Sequence, residues 1–206
     1  RADIDPRGVL AMRVLVACKY SGRVREAFRA RGHDAWSCDL LPSDDDSPHH
    51  IQGDALKVLD RHWDLLIAHP PCTYLSNAGA KHLYPTKGNL NLERYAKGME
   101  AKAFFLEFYH SGIERICIEN PIPSRVFEMP PYSQFVQPFE HGHPVSKKTC
   151  FWLKNLPPLQ PTKMVTKTEN CHGAEGSWYN QGGKDRWKRR STTFQGIADA
   201  MAEQWG

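Results

Sequence analysis

The sequence predicts an α/β fold with a doubly wound, mostly parallel sheet, and three observations lead there. Short apolar, β-branched runs alternate with stretches of helical periodicity through the first half of the chain. Each run ends on a turn signal or a proline, as buried parallel strands do. The chain has 206 residues, 40% hydrophobic and 24% charged, enough apolar material for one packed domain. No apolar run approaches the roughly 20 residues that cross a bilayer.

Residues 1–11 carry mixed charge and no apolar stretch before a cleavage site, so we expect a non-native remnant outside the fold rather than a signal peptide. Residues 13–18 are the first strand, closed by the turn Lys19-Tyr20-Ser21-Gly22. Residues 24–31 read as an amphipathic helix with Val24, Ala27 and Phe28 on one face and Gly32 as its stop. Residues 34–41 are a second strand, followed by a polar loop over 42–50 and a short helix over 55–59. Residues 64–68 are a buried strand stopped by Pro70-Pro71. A long helix spans 92–110, with Tyr95, Met99, Ala103, Leu106 and Tyr109 at helical spacing. Residues 113–118 are another buried strand, ended by Glu119-Asn120-Pro121. Proline, aromatic and polar residues then dominate up to a strand over 150–153. A loop-rich insert follows, and Ile197, Ala198, Met201, Ala202 and Trp205 mark a closing amphipathic helix.

Cys18, Cys38, Cys72, Cys117, Cys150 and Cys171 are spread along the chain with no Cys-x-x-Cys pair, which disfavours both a disulfide framework and a zinc knuckle. His49-His50 and His141-x-His143 read as surface pairs without a third ligand at suitable spacing, so no metal is expected. We expect a cytoplasmic protein with no membrane segment. Net charge is +4. Residues 34–64 are acidic, whereas Lys184, Arg186, Lys188, Arg189 and Arg190 form a basic run near Trp178, Tyr179 and Trp187, side chains that can stack on bases.

In a doubly wound sheet the ligand lies at the carboxyl ends of the strands. That rule selects the Tyr20-Ser21-Gly22 turn, Asp39, Pro70-Pro71-Cys72 and Glu119-Asn120, all expected just past a strand. A cysteine at such an edge, paired with a carboxyl group, suits nucleophilic catalysis.

Pro71-Cys72-x-x-Leu75-Ser76-x-x-Gly79 resembles the Pro-Cys-Gln-x-Phe-Ser-x-x-Gly motif of the DNA cytosine-5 methyltransferases, and Glu119-Asn120-Pro121 resembles that family's Glu-Asn-Val. The order and pairing of the two motifs carry the resemblance. It implies a Rossmann-like fold that binds S-adenosylmethionine, with Cys72 as nucleophile on cytosine carbon 6 and Glu119 at ring nitrogen 3. It further implies that Tyr20, Ser21, Gly22, Asp39, Asp54 and Pro70 bind the cofactor. Pro71, Ser76, Asn120, Lys147 and Thr149 are implied to contact the substrate. Strand alternation puts Lys147 and Thr149 on one face, and the resemblance implies that this face meets the pyrimidine carbonyl.

The chain departs from the family elsewhere. Only Ser21-Gly22 stands in the first glycine-rich loop, Lys147-Lys148-Thr149 replaces Gln-x-Arg-x-Arg, and the closing motif at 191–202 lacks its Gly-Asn. The catalytic domain is expected over 12–153 and 191–206, with a short target-recognition-like insert over 154–190, as in small phage-type members. So small an insert leaves duplex DNA, single-stranded DNA and a free cytosine nucleotide open as substrates. A catalytically silent nucleic-acid-binding protein on the same fold is the reading from another class.

Overall fold

The computed structural model describes residues 11–167, 184 and 191–206. Among them seven strands form one sheet: β1 (Arg13–Ala17), β2 (Asp34–Asp39), β3 (His50–Gln52), β4 (Leu65–Ala68), β5 (Arg115–Pro121), β6 (Gln134–Val136) and β7 (Thr149–Lys154). Their order is β3-β2-β1-β4-β5-β7-β6. Strands β1 to β5 pair in parallel, and β7 runs antiparallel to both β5 and β6. The chain winds outward from β1 to β3, then returns to β4 on the other side of β1. This is a Rossmann-like, doubly wound sheet whose order reverses between β1 and β4, the position where such sheets open a crevice.

The described helices are α1 (Arg23–Arg29), α2 (Ala80–Leu83), α3 (Leu92–Tyr109) and α4 (Gln195–Trp205). Alternation along the strands divides the core in two. Val14, Val16, Leu65 and Ile67 pack with Val24 and Phe28 of α1 and with Ala198, Met201 and Trp205 of α4. Leu15, Ala17, Leu66 and Ala68 face the other way, against Phe105 and Phe108 of α3 and Trp152 of β7. Burial on both faces explains why β1 and β4 read as unbroken apolar runs.

Several expectations change. Strand β5 contains Glu119-Asn120-Pro121, because all three pair with β7 through Phe151, Cys150 and Thr149. Glu119 therefore projects from a strand and does not follow one, and Asp39 is the last residue of β2. The core stripe of α3 is Gly98, Phe105 and Phe108, while Met99 is 39% exposed. The stripe expected from Tyr95, Met99 and Ala103 lies to one side of it. His141 is buried and bonded to Thr162, so the histidine pair at 141 and 143 is not a surface pair. The expected helix over 55–59 is a 3-10 turn, Ala55–Val58. Residues 1–10, 168–183 and 185–190, which hold Cys171, the three aromatic residues and most of the basic run, lie outside the described residues.

Candidate active site

At the β1–β4 crevice the backbone turns sharply. Cys18 takes a left-handed φ of 56°, and Lys19 N donates to Cys38 O of β2, so the turn folds back over the sheet edge. On the other side of the crevice β4 runs into His69-Pro70-Pro71-Cys72. Two bonds join this segment to β5: His69 meets Glu119, and Asn120 Nδ2 donates to Pro70 O at 3.1 Å.

The Cys72 turn is built from backbone. Leu75 N and Ser76 N both donate to the Cys72 carbonyl, at 3.1 and 2.9 Å. Beyond it, Ser124 N donates to Leu75 O, Asn77 N donates to Ile122 O, and Ser76 bridges Pro123. The turn is thus stitched to the segment that leaves β5. Cys72 remains partly accessible, whereas Cys38, Cys117 and Cys150 are buried as small core residues.

A cleft of ≈ 350 Å³ lies beside this turn, lined by Cys18, Asp39, Asp54, His69, Pro71 and Phe104, among others. Its volume is that of a small-ligand site. The two carboxylates can accept from hydroxyl or amine groups, and Phe104 and Pro71 supply apolar walls. Both carboxylates also have local work: Asp39 accepts from Leu41 N, and Asp54 caps the 3-10 turn through Leu56 N. Each retains lone pairs for a ligand.

Glu119 faces a second, narrow cavity with Lys147, Thr149, Ser191, Thr193 and Phe194. At ≈ 20 Å³ it holds about one water. Lys19 Nζ donates to Ser191 O, Tyr20 Oη lies 3.3 Å from Ser191 Oγ, and Arg23 Nη1 donates to Thr193 O. The segment at 191–194 is thereby fastened over Glu119.

Electrostatics distinguish this corner. Burial pushes a carboxyl pKa up, but the His69 hydrogen bond and the charges of Lys147 and Lys19 outweigh it, taking Glu119 down to about 2. Burial first, then the Lys19 charge, lowers the His69 pKa below the ordinary imidazole range. Beside a carboxylate, His69 Nδ1 is the donor across the 2.6 Å separation, and the burial that lowers the His69 pKa favours the neutral ring. Lys19 is itself buried, and burial brings it down to about 8.

The expected site residues divide accordingly. Asp39, Asp54 and Pro71 share the larger cleft; Glu119, Lys147 and Thr149 share the narrow cavity. Cys72 and Ser76 lie on the turn between β4 and the end of β5. Asn120 Nδ2 is bonded to the Pro70 carbonyl, a contact that ties the Cys72 turn to β5. Tyr20 and Ser21 are buried, and Gly22 opens onto a different cavity with Arg23, Asp44 and Asp45. Gly22 N donates to Asp44 Oδ1, which occupies its amide. Sequence reasoning passed over His69 and Lys19. Each is a polar residue directly after an apolar strand run, the one available signal for a buried polar group at a sheet edge.

No family model matches this chain, and no curated protein sequence does. A solved structure of the Entamoeba histolytica methyltransferase EhMeth is similar to it with a TM-score of 0.45 and 14% identity, over 78% of this chain. The similar region spans 58% of that protein's chain. At that identity the likeness does not assign a function.

Proposed function

We propose that this chain is a methyltransferase that uses S-adenosylmethionine and Cys72 to methylate carbon 5 of cytosine in DNA. The observation that carries the proposal is the joining of the Cys72 turn to β5, the strand that holds Glu119, with the Cys72 thiol partly accessible. Cytosine carbon 5 is a poor nucleophile. A thiolate bonded to carbon 6 makes it an enamine carbon, and a carboxyl group that gives a proton to nitrogen 3 stabilises the attacked ring.

Asp39 and Asp54 suit the ribose hydroxyls and adenine amine of the methyl donor, in a cleft of fitting size. When bound, the donor supplies an electrophilic sulfonium methyl group. Lys147 and Thr149 suit the pyrimidine carbonyl oxygen beside Glu119. A pyrimidine is far larger than the narrow cavity, so binding requires residues 191–194 to move outward. Their ties to Lys19, Tyr20 and Arg23 are the bonds that break.

The test is covalent trapping. Cytosine with fluorine at carbon 5 can be attacked and methylated, but the fluorine cannot leave as the proton does. The protein should become attached to fluorocytosine DNA only when S-adenosylmethionine is present. Cys72→Ser should abolish the adduct, because a hydroxyl is far less ionised than a thiol. Glu119→Gln should slow it by about 10²-fold or more. An adduct on Cys18, Cys38 or Cys150 refutes the nucleophile assignment. Absence of any adduct on single-stranded DNA, duplex DNA or the fluorinated nucleotide, with donor bound, sinks the proposal.

A further inference from the structure

His69 has two ring nitrogens with different surroundings. Nδ1 is held by Glu119 Oε2 at 2.6 Å, while Nε2 is buried and has no hydrogen-bond partner. A buried polar atom left without a partner costs roughly 1–3 kcal/mol, which marks Nε2, at the wall of a cleft, as an atom with unused hydrogen-bonding capacity. The ring lines the larger cleft, and Glu119 lines the narrow cavity. Their hydrogen bond therefore links the two spaces. The charged groups acting on the ring are Lys19 from the turn after β1, Glu119 from β5 and Lys147 just before β7. Cys18, Asp39 and Asp54 share its cleft.

We propose that His69 is the proton carrier for Glu119: it passes through Nδ1 the proton that Glu119 hands to ring nitrogen 3, and takes a replacement at Nε2. This rests on the cytosine reading of Glu119 given above. A carboxylate held by a hydrogen bond and two lysines cannot carry a proton of its own at neutral pH. A relay protonates it only while the ring demands it.

Cys72 sulfur bonds to carbon 6, the carbon 5–carbon 6 pair moves to the carbon 4–carbon 5 bond, and the carbon 4–nitrogen 3 pair moves onto nitrogen 3. Nitrogen 3 takes a proton from Glu119, which takes the one on His69 Nδ1. His69 Nε2 takes the proton released from the Cys72 thiol, carried by solvent. Glu119 ends as a carboxylate and His69 as the neutral Nε2–H tautomer. The net result is transfer of one proton from sulfur to ring nitrogen, and the same route returns it when the carbon–sulfur bond breaks.

Two measurements test this, and the first does not depend on the cytosine reading. Nitrogen NMR of the His69 ring in the ligand-free protein should show the Nδ1–H tautomer with Nε2 bare at about pH 7. An Nε2–H tautomer or an imidazolium overturns the inference. The second uses His69→Asn, whose amide nitrogen can still donate to Glu119 but cannot relay a proton. With fluorocytosine DNA and S-adenosylmethionine both at saturation, the rate of adduct formation should fall by about 10²-fold, with DNA affinity within about twofold of wild type. A purely structural histidine predicts wild-type rates for His69→Asn, and that result overturns the inference while leaving the cytosine reading intact. If wild-type protein forms no adduct on any cytosine substrate, the reading and the relay fall together, whatever the tautomer.

Discussion

Lys19 is 3% exposed and lies in a corner that also holds Glu119, Lys147 and Arg23. Burial dominates its titration and, with the two neighbouring cations, outweighs the attraction of Glu119 and Asp39, so its pKa falls from 10.5 to about 8. Between those values the unfolded chain keeps the lysine proton while the native chain has released it. Stability from this group therefore rises as pH climbs through that window, by an upper limit of about 3 kcal/mol. The buried thiols act in the opposite sense, since burial pushes Cys38 and Cys150 up to about 11 and the unfolded chain loses those protons first. The difference between wild type and Lys19→Met isolates the lysine. Urea unfolding at about pH 7.5 and about pH 10 should show a rise in wild type relative to Lys19→Met. Parallel curves mean that Lys19 stays charged in the fold. Beyond its place directly after an apolar strand run, nothing local marked this lysine as buried, and two of the charges that meet it in space, Glu119 and Lys147, are 100 and 128 positions away.

At the scale of elements, α1 shows the same gap between pattern and packing. Val24, Ala27 and Phe28 were legible as its apolar face, and they do enter the core. Arg25 is also fully buried, which no periodicity indicates, because its guanidinium is bonded to Glu26, to Ser37 Oγ of β2 at 2.7 Å and to Asp45. Ser37 Oγ in turn lies 2.8 Å from His50 Nδ1, so a single side chain ties α1 to β2, β3 and the loop at 43–47. Arg25→Met should cost about 3 kcal/mol in urea unfolding, since it removes the buried guanidinium's bonds to Ser37, Glu26 and Asp45 together and leaves an ill-fitting cavity. Asp45→Asn should cost under about 1 kcal/mol, because Asp45 is 38% exposed and solvent screens that arm. Equal losses would assign the stability to the ion pair instead. The strands that sequence failed to find, β3 and β6, have three residues each and pair at the sheet's two margins, too short to carry a period. On α3 the adjacent Phe104 and Phe105 create overlapping stripes. Close packing of Gly98 against the Phe127 ring selects between them, since a Cβ there would sit 2.2 Å from that ring.

Across the whole molecule, the alternation of strands and helices was enough to foresee the sheet, and with it that Asp39 and Cys72 would lie at or beyond the carboxyl ends of its strands. It could not foretell that Glu119 would be drawn into β5 by pairing with β7, or that residues 191–194 would return to cover it, because both depend on contacts distant in sequence. Charge is divided as well. The acidic stretch at 34–64 supplies Asp39 and Asp54 to one side of the crevice. Two residues past Cys72, Tyr74 opens a groove of ≈ 450 Å³ that also holds Lys81, His82, Arg94 and Lys97, with Arg94 and Lys97 over the Tyr74 ring at 5.0 and 5.9 Å. A strand offering its cytosine to Cys72 is expected to run neighbouring phosphates along this groove, where each neutralised phosphate releases condensed counterions. Lys81 and Lys97 are exposed, and replacing both by glutamine leaves the core intact. For a single-stranded oligodeoxynucleotide the slope of log affinity against log salt should then flatten by about 1.4, at roughly 0.7 per lost contact. Affinity for S-adenosylmethionine should not change, because none of the residues lining this groove lines the cleft proposed for the donor. A fluorescence-anisotropy salt titration of wild type and the double variant reads both slopes. Identical slopes would show the groove to be an ordinary solvated surface, and would direct the search to a free nucleotide whose single phosphate needs no such track.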